Sequence, residues 1–242
     1  MKSSIVIGVG AERGLGAAIC RRCAAEGLQV LAAGRTATKL DHLARQIRAT
    51  GGLITPLVID AATTAGVVAA FDEAKRVTGQ SPELVVYNAG VSHDYRSMRD
   101  MDDAYFEDLW RLACFGGFVT GREAARRMLP VGGTVIFTGA TASLRSKPPF
   151  TALASSKSAL RAVAFGMARE FGREGLHVAH VILDGCIDGD ELNSRYPQVK
   201  EKLGAEGMLQ PDSLADAYWS IHKQPRSAWT LELDLRPSTE TF

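Results

Sequence analysis

The sequence predicts an α/β fold, a doubly wound parallel sheet of about seven strands with helices on both faces. Three observations carry that expectation. Short β-branched runs alternate with amphipathic stretches from the first residues to about residue 183, the rhythm of βαβ units. The first such run leads straight into a glycine-rich turn and then a helical pattern. No Pro- or Ser-rich linker divides the 242 residues, so residues 1–242 are expected to form one domain with a well-buried core.

Strands are expected at Ser4 to Val9, Gln29 to Ala33, Leu53 to Ile59, Leu84 to Tyr87, Thr134 to Thr138, Val178 to Leu183 and Thr230 to Leu235. Helices fill the gaps. The longest are Asp103 to Met128, stopped by Pro130 and the glycines 132 and 133, and Phe150 to Phe171, stopped by Gly172 and Gly175. Both are alanine-rich with regular apolar spacing, which gives each one face for the sheet and another for a partner subunit. Residues 189–210 break the rhythm with mixed polar residues, Pro197 and Gly204, and read as a mobile loop or lid over a site. The run S-A-W-T-L-E-L-D-L-R-P, residues 227–237, alternates as an edge strand with one buried face would. Its Trp229 suits an interface anchor or core packing equally.

Composition excludes several function classes. Lysine and arginine total 28 against 27 acidic residues, a formal charge of +1, with no basic run or interleaved aromatics, so nucleic acid is not an expected partner. The first apolar run, Ile5 to Val9, is too short for a signal-peptide core, and no stretch approaches the roughly 18 apolar residues of a membrane span. A cytoplasmic protein with no membrane partner is the expectation. Cys20 and Cys23 have a suggestive C-x-x-C spacing, but they lie in an amphipathic segment with no second ligand pair, which favours core packing. His177 and His180 are three apart in a strand-like run, so they point to opposite faces and cannot share a metal. No metal is expected.

The turn after the first strand reads G-V-G-A-E-R-G-L-G, residues 8–16. Such a turn brings backbone N–H groups and a helix N-terminus to a pyrophosphate with no side chains in the way. The second strand ends in A-A-G-R, and the acidic residue that would bind an NAD ribose is absent, Gly34 and Arg35 standing near its place. Arg13 adds a second guanidinium, and guanidinium suits phosphate oxygens. NADP(H) is therefore favoured over NAD(H).

Read as G-x-x-x-G-x-G, Gly10, Gly14 and Gly16 give the turn of the short-chain dehydrogenase/reductase family, and further motifs in the right order extend the resemblance over about residues 4–236. The fold the resemblance implies is of Rossmann type. It also implies a cofactor site of Gly10, Arg13, Gly14, Leu15, Gly16 and Arg35. Asp60, in V-I-D, resembles the family aspartate that hydrogen-bonds the adenine amino group. Asn88-Ala89-Gly90 matches the family N-A-G, which steadies the sheet centre and backs the adenosine ribose. Lys157 matches the lysine that holds the nicotinamide ribose hydroxyls, and Gly185 and Ile187 are placed to meet the carboxamide.

The resemblance breaks at the reacting end. The family uses tyrosine to move the proton, serine to hold the substrate oxygen and asparagine to complete a water-linked relay. In one register Leu153 stands at the tyrosine position, Ala140 at the serine and Ala113 at the asparagine, while Lys157 remains one helical turn after Leu153. A shift by one would bring Thr141 to the serine position, but no tyrosine lies between Tyr105 and Tyr196. After the sixth strand L-D-G-C-I-D-G replaces the family P-G-x-x-x-T, putting Asp184 at the proline and Gly189 at the threonine; Asp184 suits a turn cap or a contact with substrate.

The expected function is an NADP(H)-dependent oxidoreductase with an atypical active site, acting on a small organic molecule. The alternative is a catalytically degenerate NADP(H)-binding sensor or partner protein. Lys157 is the expected catalytic residue that survives. A replacement proton donor is sought in His93 or Tyr95, in the loop after N-A-G, since loops at strand C-termini face the ligand. An iminium or conjugated acceptor would need no proton on oxygen in the same step, and an apolar pocket floored by Ala113, Ala140 and Leu153 would tolerate one. Residues 91–99 and 189–210 are expected to line the substrate pocket. The resemblance further implies a homodimer or homotetramer built through the two long helices and the last helix and strand.

Overall fold

The computed structural model describes residues 1–90, 96–129 and 131–241. Seven parallel strands form one sheet: β1 (Ser3–Ile7), β2 (Gln29–Gly34), β3 (Ile54–Val58), β4 (Leu84–Tyr87), β5 (Gly133–Thr138), β6 (Leu176–Leu183) and β7 (Glu232–Leu235). Their order is β3-β2-β1-β4-β5-β6-β7. Every residue of β1, β2, β4 and β6 is buried, as expected of parallel strands covered on both faces. The edges read differently. β3 carries Pro56, tolerated where one side needs no ladder bond, and β7 is only half-buried and four residues long.

One face of the sheet is covered by α1 (Leu15–Ala25), α2 (Ala37–Ala49) and, entered later in the chain, the helix Pro211–His222; the other by α3 (Thr64–Thr78), α4 (Asp103–Trp110), α5 (Gly116–Met128) and α6 (Thr151–Phe171). Local chemistry sets several ends. The Thr63 hydroxyl accepts the Gly66 N–H at 3.1 Å to start α3, Gly79 in the left-handed region (φ +76°) ends it, and Asp102 accepts the Tyr105 N–H at 2.7 Å to start α4. Because β1 pairs with β2 on one side and β4 on the other, the chain reverses direction across the sheet there and opens a crevice at the strand C-termini.

The long helix expected over 103–128 is interrupted by a π turn, Arg111–Phe115, in which the Gly116 N–H reaches back to the Arg111 carbonyl. The Leu112 carbonyl accepts instead from the Tyr87 hydroxyl. Glycine is needed below the turn, since a Cβ at Gly116 would collide with Tyr87 Oη, one at Gly117 with Leu160 and one at Gly121 with Met167.

Residues 189–210 are not a plain loop. They form α7 (Asp190–Arg195) and α8 (Pro197–Leu203), followed by a short 3-10 turn and then α9 (Pro211–His222). Their root is closed by a bridge between Ile187 and Leu209, with the Asp188 N–H on the Leu209 carbonyl and the Leu209 N–H on the Cys186 carbonyl, each at 2.8 Å.

Cys20 and Cys23 are free and buried in the core beneath α1, where burial pushes the Cys23 thiol up to about 12 and the Cys20 thiol well above its ordinary value. His177 stacks on Trp229 with centroids 4.7 Å apart, so this tryptophan packs locally. Among the described residues no helix is long and apolar enough to cross a membrane.

Candidate cofactor and active site

The glycine turn lies at the C-terminal end of β1, and its glycines differ in what the fold asks of them. Gly8 has φ +97°, and a Cβ there would come within 2.5 Å of the Ala89 nitrogen. A Cβ at Gly16 would come within 2.7 Å of the Gly8 carbonyl oxygen, so this glycine lets α1 pack on the turn. Around Gly10 no protein atom lies within 4 Å of the Cβ position, and its φ is one any residue adopts. Packing does not require glycine at 10; room for something held by the turn does. Gly14 caps α1 without a side-chain hydrogen bond, and the first turn carries no acidic residue. The uncompensated helix N-terminus and the space at Gly10 fit a pyrophosphate. Leu15 is buried at 4% exposure, which leaves only its backbone for such a ligand.

Around this cradle the two arginines part company. Arg35 is exposed just past β2 and has no hydrogen-bond or ion-pair partner among the described residues. Arg13, expected beside it at a phosphate, is turned to the other side. Its guanidinium meets Asp188 at 3.0 Å, its N–H donates to Asp190 Oδ2 at 2.8 Å, and its carbonyl accepts the Asp190 N–H at 3.0 Å. The cause is Asp188, a buried carboxylate that also accepts from Lys200 at 2.9 Å and Asn193 at 2.7 Å. Those two hydrogen bonds, with the Arg13 charge, hold Asp188 down at about 2.

Asp60 is exposed, with Oδ1 accepting the Ala62 N–H at 2.9 Å. Asn88 Nδ2 donates to the Gly8 carbonyl at 3.2 Å, joining β4 to the turn after β1, beside buried Ala89 and exposed Gly90. His93 and Tyr95 lie outside the described residues.

At the other end of the crevice, Lys157 on α6 is 5% exposed and donates to the Thr138 carbonyl at 2.8 Å. Burial lowers its pKa to about 8. Leu153 and Ala140 keep part of their surface exposed, but Ala113 is wholly buried inside the π turn and does not line the floor expected of it. Thr141, beside Ala140, hydrogen-bonds Asp184. Asp184 is buried and also accepts from Arg145 at 3.2 Å, with Arg236 at 3.6 Å, so it fastens the β5–α6 loop to the ends of β6 and β7. Gly185 has φ +149°, where a Cβ would meet Pro237 at 2.8 Å, and Gly189 lets the Arg13 carbonyl approach within 2.6 Å of the Cβ position. Partly buried Ile187 stands between them.

Sequence reasoning missed the cluster of Asp188, Asn193 and Lys200. Their spacing has no helical or strand period, and the partner on the glycine turn lies 175 residues away.

A family model described as short chain dehydrogenase matches residues 4–199. A 3-oxoacyl-(acyl-carrier-protein) reductase of Pseudomonas aeruginosa is 27% identical over 209 residues, covering 84% of this chain and 81% of that protein. A cyclic-di-GMP-binding biofilm dispersal mediator protein of Escherichia coli is 32% identical over 197 residues, covering 79% and 76%. The crystal structure of a short-chain dehydrogenase from Rhodopseudomonas palustris superposes with a TM-score of 0.82 at 38% identity, covering 98% of each chain.

Proposed function

We propose, from the premise that this chain belongs to the short-chain dehydrogenase family, that it is an NADP(H)-dependent oxidoreductase acting on a small organic substrate through an atypical active site. The observation that carries the reading is the open cradle at Gly10 over the uncapped start of α1, with the partnerless Arg35 guanidinium at the end of β2. NADP(H), when bound, supplies or receives the hydride.

In this reading the backbone of Gly10, Arg13, Gly14, Leu15 and Gly16 binds the pyrophosphate, and Arg35 the 2′-phosphate. Asp60 meets the adenine, while Asn88, Ala89 and Gly90 back the adenosine ribose. Lys157 orients the nicotinamide ribose, and Gly185 and Ile187 the carboxamide. Ala113, Ala140 and Leu153 hold the places of the family's asparagine, serine and tyrosine. General acid catalysis contributes roughly 10²–10⁴-fold to a carbonyl reduction, and Leu153 has no proton to give. An iminium or conjugated acceptor fits the apolar wall of Ala140 and Leu153.

Titration with NADPH and NADH tests the cofactor. NADPH binds more tightly, and Arg35→Ala weakens NADPH by about 10- to 100-fold while leaving NADH unchanged, the loss of a charge-assisted bond of roughly 1.5–3 kcal/mol. A panel of ketones, quinones, enones and imines tests turnover. The same apolar wall favours a second reading, an NADP(H) sensor or partner protein, whose signature is tight binding without turnover on any of them. Exposed Phe106, Trp110 and Phe118 on α4 and α5 support assembly into a homodimer or homotetramer.

A further inference from the structure

Beneath the Lys157 corner lies a set of buried groups that cofactor binding does not use. His180, on β6, has no exposed surface, and its Nδ1 stands 3.0 Å from Glu232 Oε2 on β7. Glu232 is gripped by the Arg161 guanidinium on α6 through bonds of 2.6 and 2.9 Å. A carboxylate only accepts, so Nδ1 carries the ring proton and Nε2 presents a lone pair. No donor among the described residues meets that lone pair.

Its direction is fixed. A Cβ at Gly139 would collide with His180 Nε2, so glycine at 139 is the space the ring occupies. The peptide joining Thr138 to Gly139 is the one whose carbonyl accepts from Lys157. An unsatisfied acceptor and an ammonium with a single hydrogen bond thus converge on one peptide, immediately before Ala140.

We propose that Lys157 is the acid–base group of this site and that His180, locked by Glu232 and Arg161, is a positioning residue that holds the Lys157 ammonium charged and oriented. The proposal rests on the NADP(H) reading. In the reducing direction hydride from the dihydronicotinamide forms the new C–H bond, and the carbonyl π pair moves onto oxygen. That oxygen takes a proton from Lys157, leaving an alcohol, the oxidised cofactor and a neutral amine that regains its proton from water. The oxidising direction is the reverse, with the neutral amine accepting the alcohol proton.

The groups facing one another are few. Lys157 and Arg161 from α6 and Glu232 from β7 act on His180, whose pKa is lowered to about 4, mainly by burial. Burial alone depresses Lys157, which leaves it titrating near 8. An exposed lysine would stay charged to above pH 10 and exchange its proton poorly at neutral pH.

The test follows the ¹⁵N-labelled Lys157 side-chain resonance against pH in the cofactor-free protein, alongside NADPH titration and, where a substrate turns over, the pH profile. The wild-type midpoint falls near 8. His180→Leu lowers it by about half a unit or more by removing the acceptor, and His180→Asn, which keeps one, restores it in part. Glu232→Gln, at a partly exposed position, is the check should the His180 variants fail to fold, and it shifts the midpoint in the same direction as His180→Leu. An ordinary midpoint near 10.4 overturns the role of Lys157 whether or not any substrate turns over. A midpoint near 8 that none of the folded variants moves overturns the role of His180. Failure to bind NADPH sinks the cofactor reading and is seen separately, in a titration that does not depend on the lysine resonance.

Discussion

Arg13 and Asp188 are joined by a 3.0 Å ion pair that ties the glycine turn to the segment carrying α7 and α8. The pair sits across the entrance to the crevice, so a ligand on the turn meets this tie. Asp188 is held at about 2, chiefly by the Lys200 and Asn193 hydrogen bonds. A carboxylate with a depressed folded pKa stabilises above its unfolded value, near 3.9, and that stabilisation is lost as pH falls from there through about 2.

Asp188→Asn is therefore expected to loosen the root of residues 188–209 at neutral pH. Arg13 and Lys200 are about half exposed, so the loss is about 1–2 kcal/mol, seen as roughly tenfold faster amide hydrogen exchange at Asp188 and Leu209. In the wild type the same loosening sets in only below about pH 4, and equal exchange in both proteins at pH 7 would contradict the tie.

Gly10 and Gly16 separate ligand space from packing space. Gly10→Ala is expected to fold with wild-type stability, within about 0.5 kcal/mol, while cutting dinucleotide affinity at least tenfold. Gly16→Ala is expected to lose about 1–3 kcal/mol in urea unfolding, because its methyl would press on the Gly8 carbonyl. Intact binding in Gly10→Ala would show that nothing approaches the turn at that point.

Lys157→Met is expected to stabilise the protein and weaken it as a binder. The Lys157 pKa falls on folding from 10.5 to about 8, so the unfolded chain takes up the proton first and the penalty is complete below pH 8. Removing the charge recovers about 1–3 kcal/mol at pH 7, less whatever the Thr138 carbonyl loses with its donor. The advantage shrinks as pH rises from 8 to 10.5, while NADPH affinity drops with the lost ribose contact. Urea unfolding at pH 7 and pH 10 checks the sign.

Ala140→Ser combined with Leu153→Tyr is expected to create ketone reduction. Both positions keep exposed surface, and Leu153 lies one helical turn before Lys157, where a phenol would reach the same substrate oxygen. A gain of about 10²-fold or more over the wild type with a simple ketone is the outcome that supports the register. A folded, NADPH-binding double variant with no gain counts against it.

Much of the sheet was legible because buried parallel strands are continuous apolar runs. β4 begins and ends at the residues expected of it, and β1, β2, β5 and β6 shift by two residues or fewer at their ends. What escaped was long-range or locally irregular. Arg13 looks like a phosphate ligand from its neighbours alone, and only its distant partner Asp188 redirects it. In residues 189–210, Pro197 and Gly204 were taken as breakers of regular structure. They are instead the start and stop signals of α8, with proline at its first position and glycine at φ +68° after its last. The π turn has no local signature either, except that Gly116 and Gly117 follow it.

That turn carries an engineering consequence. Deleting one residue between Leu112 and Phe115 would turn α4 and α5 into an unbroken α-helix and lift a local irregularity. It would also rotate everything downstream by about 100°, the angle of one residue in an α-helix. Gly116, Gly117 and Gly121 would swing away from Tyr87, Leu160 and Met167, and bulkier neighbours would be driven into those close approaches. The extra residue works as a phase setter: the shortest-looking repair of the helix is the one change that would unseat its packing on the sheet.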